Sequence, residues 1–182
     1  MDVLEPDLIA RAQQGDAPAF GRLYENHLER IYRYIYYRVS DRDEAEDLTE
    51  TVFLKAWEAL PRFRFTGSSF CAWLYRIAHN TVVDRHRTGK VTLPLNQALQ
   101  VRDREAASPE AAAEAEQQSM GLHAALARLE PRKQEVILNR FVNGLSHKET
   151  AYVMGLKEGH VRVLQHRALE EMRVLLQEEQ SS

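Results

Sequence analysis

The stretch DEAEDLTETVFLKAW, residues 43–57, predicts a helix around which the rest of the chain can be arranged. Its apolar residues recur every three or four positions, which is typical of an amphipathic helix. The apolar stripe comprises Ala45, Leu48, Val52, Phe53, Ala56 and Trp57, and it continues through Ala59 and Leu60. The other face comprises Asp43, Glu44, Glu46, Asp47 and Glu50, with Thr49 and Thr51 between them. Acidic residues in the first turns of the helix are favoured by the positive end of its dipole. The remaining acidic residues indicate a surface to which another molecule docks.

Formal charge is separated between this helix and the segment that follows it. Residues 41–58 hold seven carboxylates and two basic residues, a net −5, whereas residues 62–90 hold six basic residues and one carboxylate, a net +5. The net charge of the whole chain, −3, hides this separation. Opposite local fields on adjoining segments indicate two different partners, although a uniformly solvated surface is the alternative for either segment alone.

Periodicity predicts two helices before the acidic one. A short helix is expected over residues 7–16, and a longer one begins near Pro18 and runs to Arg38. His27 lies on the apolar face of the longer helix, which favours a packed core histidine over a metal ligand. Asp41 is placed to cap the acidic helix.

A basic loop containing phenylalanines, residues 62–69, leads into a further helix that begins at Phe70. One face of this helix is apolar and comprises Phe70, Leu74, Ile77, Ala78 and Thr81. A different face comprises Arg76, Asn80, Val83, Asp84 and Arg87. Amide, carboxylate and guanidinium groups at helical spacing can read base edges and phosphates, and aromatic residues in a basic loop suit stacking on unpaired bases. An ordinary basic helix with aromatic core residues is the alternative.

The three–four spacing of apolar residues is lost after residue 90, and it returns later in the chain as a series of short helices. Pro131 starts one helix, which ends at Asn143-Gly144. Ser146 and Glu149 have capping-box spacing for the next helix, Gly155 supplies a turn, and a final helix begins near Glu158. A short helix, a glycine-containing turn and a longer helix form the helix-turn-helix pattern, which other helical hairpins also match.

Taken together, three ordered stretches resemble the extracytoplasmic-function (ECF) class of bacterial RNA polymerase sigma factors. Residues 44–57 resemble the polymerase-binding segment of that family. Its promoter-melting segment is similar to GSSF (67–70) and WLYRIA (73–78), followed by Asn80 and Asp84. Its helix-turn-helix domain is similar to LEP (129–131), GLS (144–146) and GL (155–156), followed by Gly159, Val161, Arg162, Arg167 and Ala168.

The resemblance implies an all-α fold of two helical domains joined by a flexible linker. The expected domains are residues 1–90, for polymerase binding and promoter −10 recognition and melting, and residues 119–182, a helix-turn-helix for −35 recognition. Residues 91–118 form the expected linker.

The resemblance also implies partners and contact residues. The clamp helices of the largest polymerase subunit would bind Asp47, Glu50, Thr51 and Leu54, whereas Leu48, Val52, Phe53 and Ala56 would hold the domain core. Partly single-stranded −10 DNA would bind Phe65, Ser68, Ser69, Trp73, Arg76, Asn80, Asp84 and Arg87. Duplex −35 DNA would bind His160, Arg162, His166 and Arg167. An anti-sigma protein is a further expected partner, whereas no cofactor, metal or catalytic residue is expected.

Three residues depart from the family pattern in the final helix. Lys157 stands where a serine or threonine often starts the helix, and Val163 and Leu164 stand where polar or basic residues are common. We therefore expect −35 reading with fewer hydrogen bonds than is usual for the class.

Composition and motifs also show how well the sequence fits other classes of protein. A single cysteine, Cys71, excludes an internal disulfide, and no apolar run is long enough to span a membrane. The first residues lack the features of a signal peptide, so we expect a cytoplasmic protein. The first alternative is a regulator that binds only duplex DNA through residues 146–170. An enzyme is a weaker alternative, because no phosphate loop is present and only His79, Asp84 and His86 suggest a metal site.

Overall fold

A computed structural model describes residues 4–39, 41–65, 69–88, 121–122 and 124–180. These residues are predominantly helical and contain no strand, which confirms the predicted all-α class. They form two compact units, one built chiefly from the residues up to 88 and the other chiefly from residues after 120. The predicted linker, residues 91–118, lies outside the described residues. In the described part of the chain, every helix is too short or too polar to cross a membrane.

Four helices account for most of the described residues of the first unit. They are α1 (Glu5–Gln13), α2 (Ala17–Val39), α3 (Arg42–Ala59) and α4 (Phe70–Thr88), and a single 3₁₀ turn (Leu60–Arg62) follows α3. The side chain of Asp41 accepts a hydrogen bond of 2.8 Å from the backbone amide of Glu44, so it caps α3 as predicted.

Apolar stripes of the four helices form the core of this unit. Leu48, Val52, Phe53 and Ala56 of α3 are all buried, as the periodicity predicts. His27 of α2 is also buried, and its Nε2 lies 2.6 Å from a carboxylate oxygen of Glu5 in α1. The imidazole ring packs edge-on against Phe70, with centroids 5.4 Å apart. His27 is therefore a core residue that ties α1 to α2 and to the start of α4.

Short helices and glycine turns build the second unit. A helical stretch over residues 124–128 precedes α5 (Pro131–Ile137), which continues as a π-helical segment (Leu138–Val142). Next come α6 (His147–Met154) and α7 (Glu158–Gln180). Gly144 and Gly155 have φ angles of +68° and +66°, which glycine adopts without strain and which end the preceding helices. The predicted helix-turn-helix, α6 and α7, is thus present. An ion pair of 2.5 Å between Lys133 of α5 and Glu171 of α7 connects α7 to the preceding helix.

The capping box predicted for α6 is formed. The hydroxyl of Ser146 accepts a hydrogen bond of 3.1 Å from the backbone amide of Glu149. In return, the Glu149 carboxylate accepts a hydrogen bond of 2.9 Å from the backbone amide of Ser146. This reciprocal pair satisfies amides that the helix itself leaves without partners.

Candidate functional site

The exposed face of α3 contains the residues predicted to bind polymerase. Asp47, Glu50 and Leu54 are exposed and Thr51 is half-buried, and their spacing places all four along one side of the helix. Leu54 is 65% exposed, so the same side of the helix also offers an apolar group. Apolar and acidic groups therefore share one solvent-facing surface, the α3 docking face.

Ion pairs divide the acidic residues of α3 into two groups. Glu44 pairs with Arg85 of α4 at 2.7 Å, and Glu46 pairs with Arg42 at 2.9 Å. Asp47 and Glu50 have no ion-pair partner among the residues that the structure describes. Asp47 and Glu50 therefore have carboxylates available to a basic partner, and within the described ranges the same holds for Asp43 and Glu58 elsewhere on α3.

Thr49 does not lie on the acidic face, contrary to expectation. It is 3% exposed, and its hydroxyl donates a hydrogen bond of 2.6 Å to the carbonyl oxygen of Ala45. Position 49 adjoins the buried stripe of Ala45, Leu48 and Val52, and the hydroxyl can be buried because the backbone carbonyl satisfies it.

Three of the five residues predicted to bind DNA on α4 face solvent. Asn80, Asp84 and Arg87 are exposed, whereas Trp73 and Arg76 are half-buried. Leu74, Ala78 and Val82 lie on the opposite side and are fully buried. The helix thus presents amide, carboxylate and guanidinium groups from one side and packs through the other, as the sequence predicts.

The aromatic residues before α4 divide between core and surface. Phe63 is only 6% exposed, so its ring is not available to stack on an unpaired base. Its ring lies 4.8 Å from the Trp73 ring, 4.9 Å from that of Phe65 and 5.5 Å from that of Phe70. Phe65 remains 57% exposed. The buried ring of Phe63 therefore holds Phe65 and Trp73 beside the start of α4.

Of the two serines predicted to contact −10 DNA, Ser69 is described and Ser68 is not. Ser69 is exposed, and its hydroxyl accepts a hydrogen bond of 3.2 Å from the backbone amide of Ala72. This bond satisfies an amide in the first turn of α4, so Ser69 caps the helix. Ser68 lies outside the described residues.

The four predicted −35 contacts of α7 are exposed. They are His160, Arg162, His166 and Arg167. Leu164 is 8% exposed and packs in the core with Val161 and Ala168. Contrary to the expectation from the family pattern, it therefore does not stand in the place of a DNA-contacting residue. Val163 is 47% exposed. Helical spacing places it on the same face of α7 as the four predicted contacts. Of these two departures from the family pattern, only Val163 lies at the surface.

The start of α7 is held by the backbone and by an ion pair. The carbonyl oxygen of Lys157 accepts hydrogen bonds from the backbone amides of His160 and Val161 at 2.9 and 3.2 Å. One turn later, Arg162 pairs with Glu158 at 2.6 Å. This pairing orients the guanidinium at the exposed N-terminal end of the helix.

One cluster near this face was not predicted. The Nε of Arg140, in the π-helical segment, donates a hydrogen bond of 3.0 Å to the side-chain oxygen of Gln165 in α7. The same guanidinium donates to the carbonyl oxygen of Leu145 in the following turn. The pKa of His147 is lowered mainly by desolvation, and to a smaller extent by the positive charges of Arg140 and Arg162. Sequence periodicity gives no signal for this cluster because Arg140 and Gln165 are 25 positions apart.

Within the described ranges, no group of three or more His, Cys, Asp or Glu side chains is placed to hold a metal ion. The side chain of His86, a member of the suggested metal set, lies outside the described residues.

Both units match known families. Residues 23–91 match the family described as Sigma-70 region 2, and residues 125–174 match Sigma-70, region 4. The ECF RNA polymerase sigma factor BldN of Streptomyces coelicolor is 41% identical over 171 residues, which cover 93% of this chain and 65% of BldN. The ECF RNA polymerase sigma factor SigD of Mycobacterium tuberculosis is 34% identical over 91% of this chain and 81% of its own.

A solved structure extends this likeness to the fold. CnrH, in complex with the cytosolic domain of CnrY, superposes with a TM-score of 0.66 at 27% identity, over 93% of this chain and 95% of CnrH. The chain belongs to the ECF class of RNA polymerase sigma factors, which confirms the family predicted from the sequence.

Proposed function

We propose that this chain binds core RNA polymerase through the α3 docking face and directs it to promoters through α4 and α7. Asp47, Glu50, Thr51 and Leu54 would contact the clamp helices of the largest subunit. The carboxylates of Asp47 and Glu50 carry the proposal. Neither has an ion-pair partner in the part of the chain that the structure describes, and a surface without internal ion pairs retains its charge for a basic partner.

The division of work between α3 and α4 follows from their chemistry. The exposed face of α4, with Asn80, Asp84 and Arg87, offers groups that bind bases and phosphates. Together with Phe65, Ser68, Ser69, Trp73 and Arg76, these residues would bind the partly single-stranded −10 element. Phe65 is exposed enough to stack on an unpaired base. We assign opening of the −10 element to this surface.

The second unit would place α7 in the major groove of the −35 element. Its exposed residues His160, Arg162, His166 and Arg167 supply donors for base edges and phosphates. The domain limits proposed from the sequence, residues 1–90 and 119–182, assign −10 and −35 recognition to different domains. Transcription initiation of this kind places the protein in the cytoplasm and needs no catalytic residue of its own.

We also propose a protein partner that holds this sigma factor inactive. CnrH, which is similar along most of its length, was solved in complex with the cytosolic domain of CnrY. An anti-sigma protein would act here by covering the polymerase-binding or DNA-binding faces.

Reconstitution with core polymerase tests the main proposal. The full chain, core polymerase and a library of promoter fragments are mixed, and the transcripts are sequenced. We expect transcripts from a defined promoter class, and we expect Asp47→Lys to abolish them by weakening core binding. Glu25→Lys, a charge reversal at an exposed position of α2, is the matched control. Transcription that still requires another sigma factor would contradict the proposal and favour a duplex-binding regulator.

A further inference from the structure

An open cleft of about 480 Å³ lies between the first half of α2 and the second half of α3. Four aromatic residues line it, Phe20 and Tyr24 from α2 and Phe53 and Trp57 from α3. Ala17, Glu50 and Leu54 complete the described lining. The cleft belongs entirely to the first unit and is separate from the predicted DNA-binding residues.

The aromatic walls are held by contacts across the two helices. The rings of Phe20 and Trp57 lie 4.8 Å apart at an interplanar angle of 57°. Those of Tyr24 and Phe53 lie 4.7 Å apart at 64°. Phe53 is 4% exposed and forms the floor, whereas the other three rings are half-buried. Edge and tilted ring pairs are favourable geometries, so the cleft is formed before any partner binds.

The chemistry of the cleft defines what fits it. Its interior is aromatic, and Leu54, 65% exposed, extends the apolar surface. Glu50 is the acidic residue of the described lining, and its carboxylate has no ion-pair partner among the described residues. Such a site suits a large apolar side chain whose neighbour is a lysine or an arginine.

The position of the cleft identifies its occupant. Glu50 and Leu54 belong both to the cleft and to the α3 docking face, so a helix bound to that face must cross the opening of the cleft. We propose that one apolar side chain of the docked polymerase helix enters the cleft, while a basic residue of that helix pairs with Glu50. This inference rests on the proposed function and adds α2 to the polymerase-binding surface.

Filling the cleft tests the inference without removing any core atom. Ala17 is exposed in the first turn of α2, so Ala17→Phe adds a ring at the edge of the cleft. Ala10→Phe, at an exposed position of α1 outside the cleft lining, is the matched control. Phe20→Ala is the opposite perturbation, because it removes one wall. Affinity for core polymerase is measured by competition against a fluorescent full-length chain, and folding by thermal unfolding.

We expect both cleft variants to bind core polymerase about tenfold or more weakly, the loss that follows when one large apolar side chain is no longer buried. Ala10→Phe should bind like the parent chain. If both cleft variants retain parental affinity while Asp47→Lys loses it, the cleft inference is overturned and the α3 docking face stands. If Asp47→Lys is also neutral, the proposed function itself fails. A monomer–dimer shift in Ala17→Phe without a change in polymerase affinity would assign the cleft to a second copy and overturn the inference.

Discussion

Val163 offers a direct test of how α7 reads the −35 element. It lies on the exposed face of the helix among residues that can donate hydrogen bonds, but it can make only apolar contacts. In the major groove, the apolar group that distinguishes one base from the others is the 5-methyl of thymine. We therefore predict that Val163 contacts a thymine methyl, and that Val163→Ala weakens binding to the −35 element.

The exposed fraction of Val163 sets the magnitude. Full burial of a valine side chain stabilises by about 1.5–3 kcal/mol. Since 47% of Val163 is exposed and available, its complete coverage by DNA contributes about 0.7–1.4 kcal/mol. Alanine keeps the Cβ atom, so the loss should lie near the lower value, about threefold in affinity.

The assay compares thymine with uracil, which lacks the 5-methyl group. Polymerase reconstituted with the parent chain or with Val163→Ala is titrated against promoter fragments that carry thymine or uracil throughout the −35 element. We expect uracil to weaken the parent about threefold and to have no further effect on Val163→Ala. Val174→Ala is the matched control, because Val174 is 50% exposed further along the same helix. Equal binding of thymine and uracil by the parent, or additive losses in the double change, would refute the predicted contact.

Three further predictions concern other parts of the molecule. Asn80→Ala should reduce promoter opening, measured by permanganate reactivity of unpaired thymines, and leave affinity for core polymerase unchanged; loss of both would contradict the division between α3 and α4. Arg162→Ala should cost about 1–3 kcal/mol in −35 binding if its guanidinium contacts a base in bidentate fashion, and unchanged promoter selectivity would remove it from the reading residues. Ser146→Ala removes the cap of α6 and should lower the unfolding free energy by about 0.5–2 kcal/mol. Ser146→Thr, which keeps a hydroxyl that can accept from the Glu149 amide and donate to its carboxylate, should recover most of that stability in urea titrations.

Much of the helical architecture was readable from the sequence alone because its causes are local. The three–four spacing of apolar residues predicted the buried stripe of α3. The structure also confirms the two helix starts that were predicted from the capping residues Asp41 and Ser146. Gly144 and Gly155 gave two helix ends, since only residues that tolerate positive φ suit those positions. The ordered motifs also gave the family. The exposure predicted for most of the candidate contact residues follows from the same periodicity.

Tertiary structure decided which polar and aromatic groups are free to meet a partner. Periodicity could not show that Phe63 is buried among three rings, or that Thr49 turns inward to bond the backbone. Nor could it show that Glu44 is paired with Arg85 while Glu50 is left without an ion pair in the described part of the chain. Burial and pairing depend on contacts between residues far apart in sequence. Local spacing can place a side chain on a helix face, but the packing of neighbouring helices determines what that face meets.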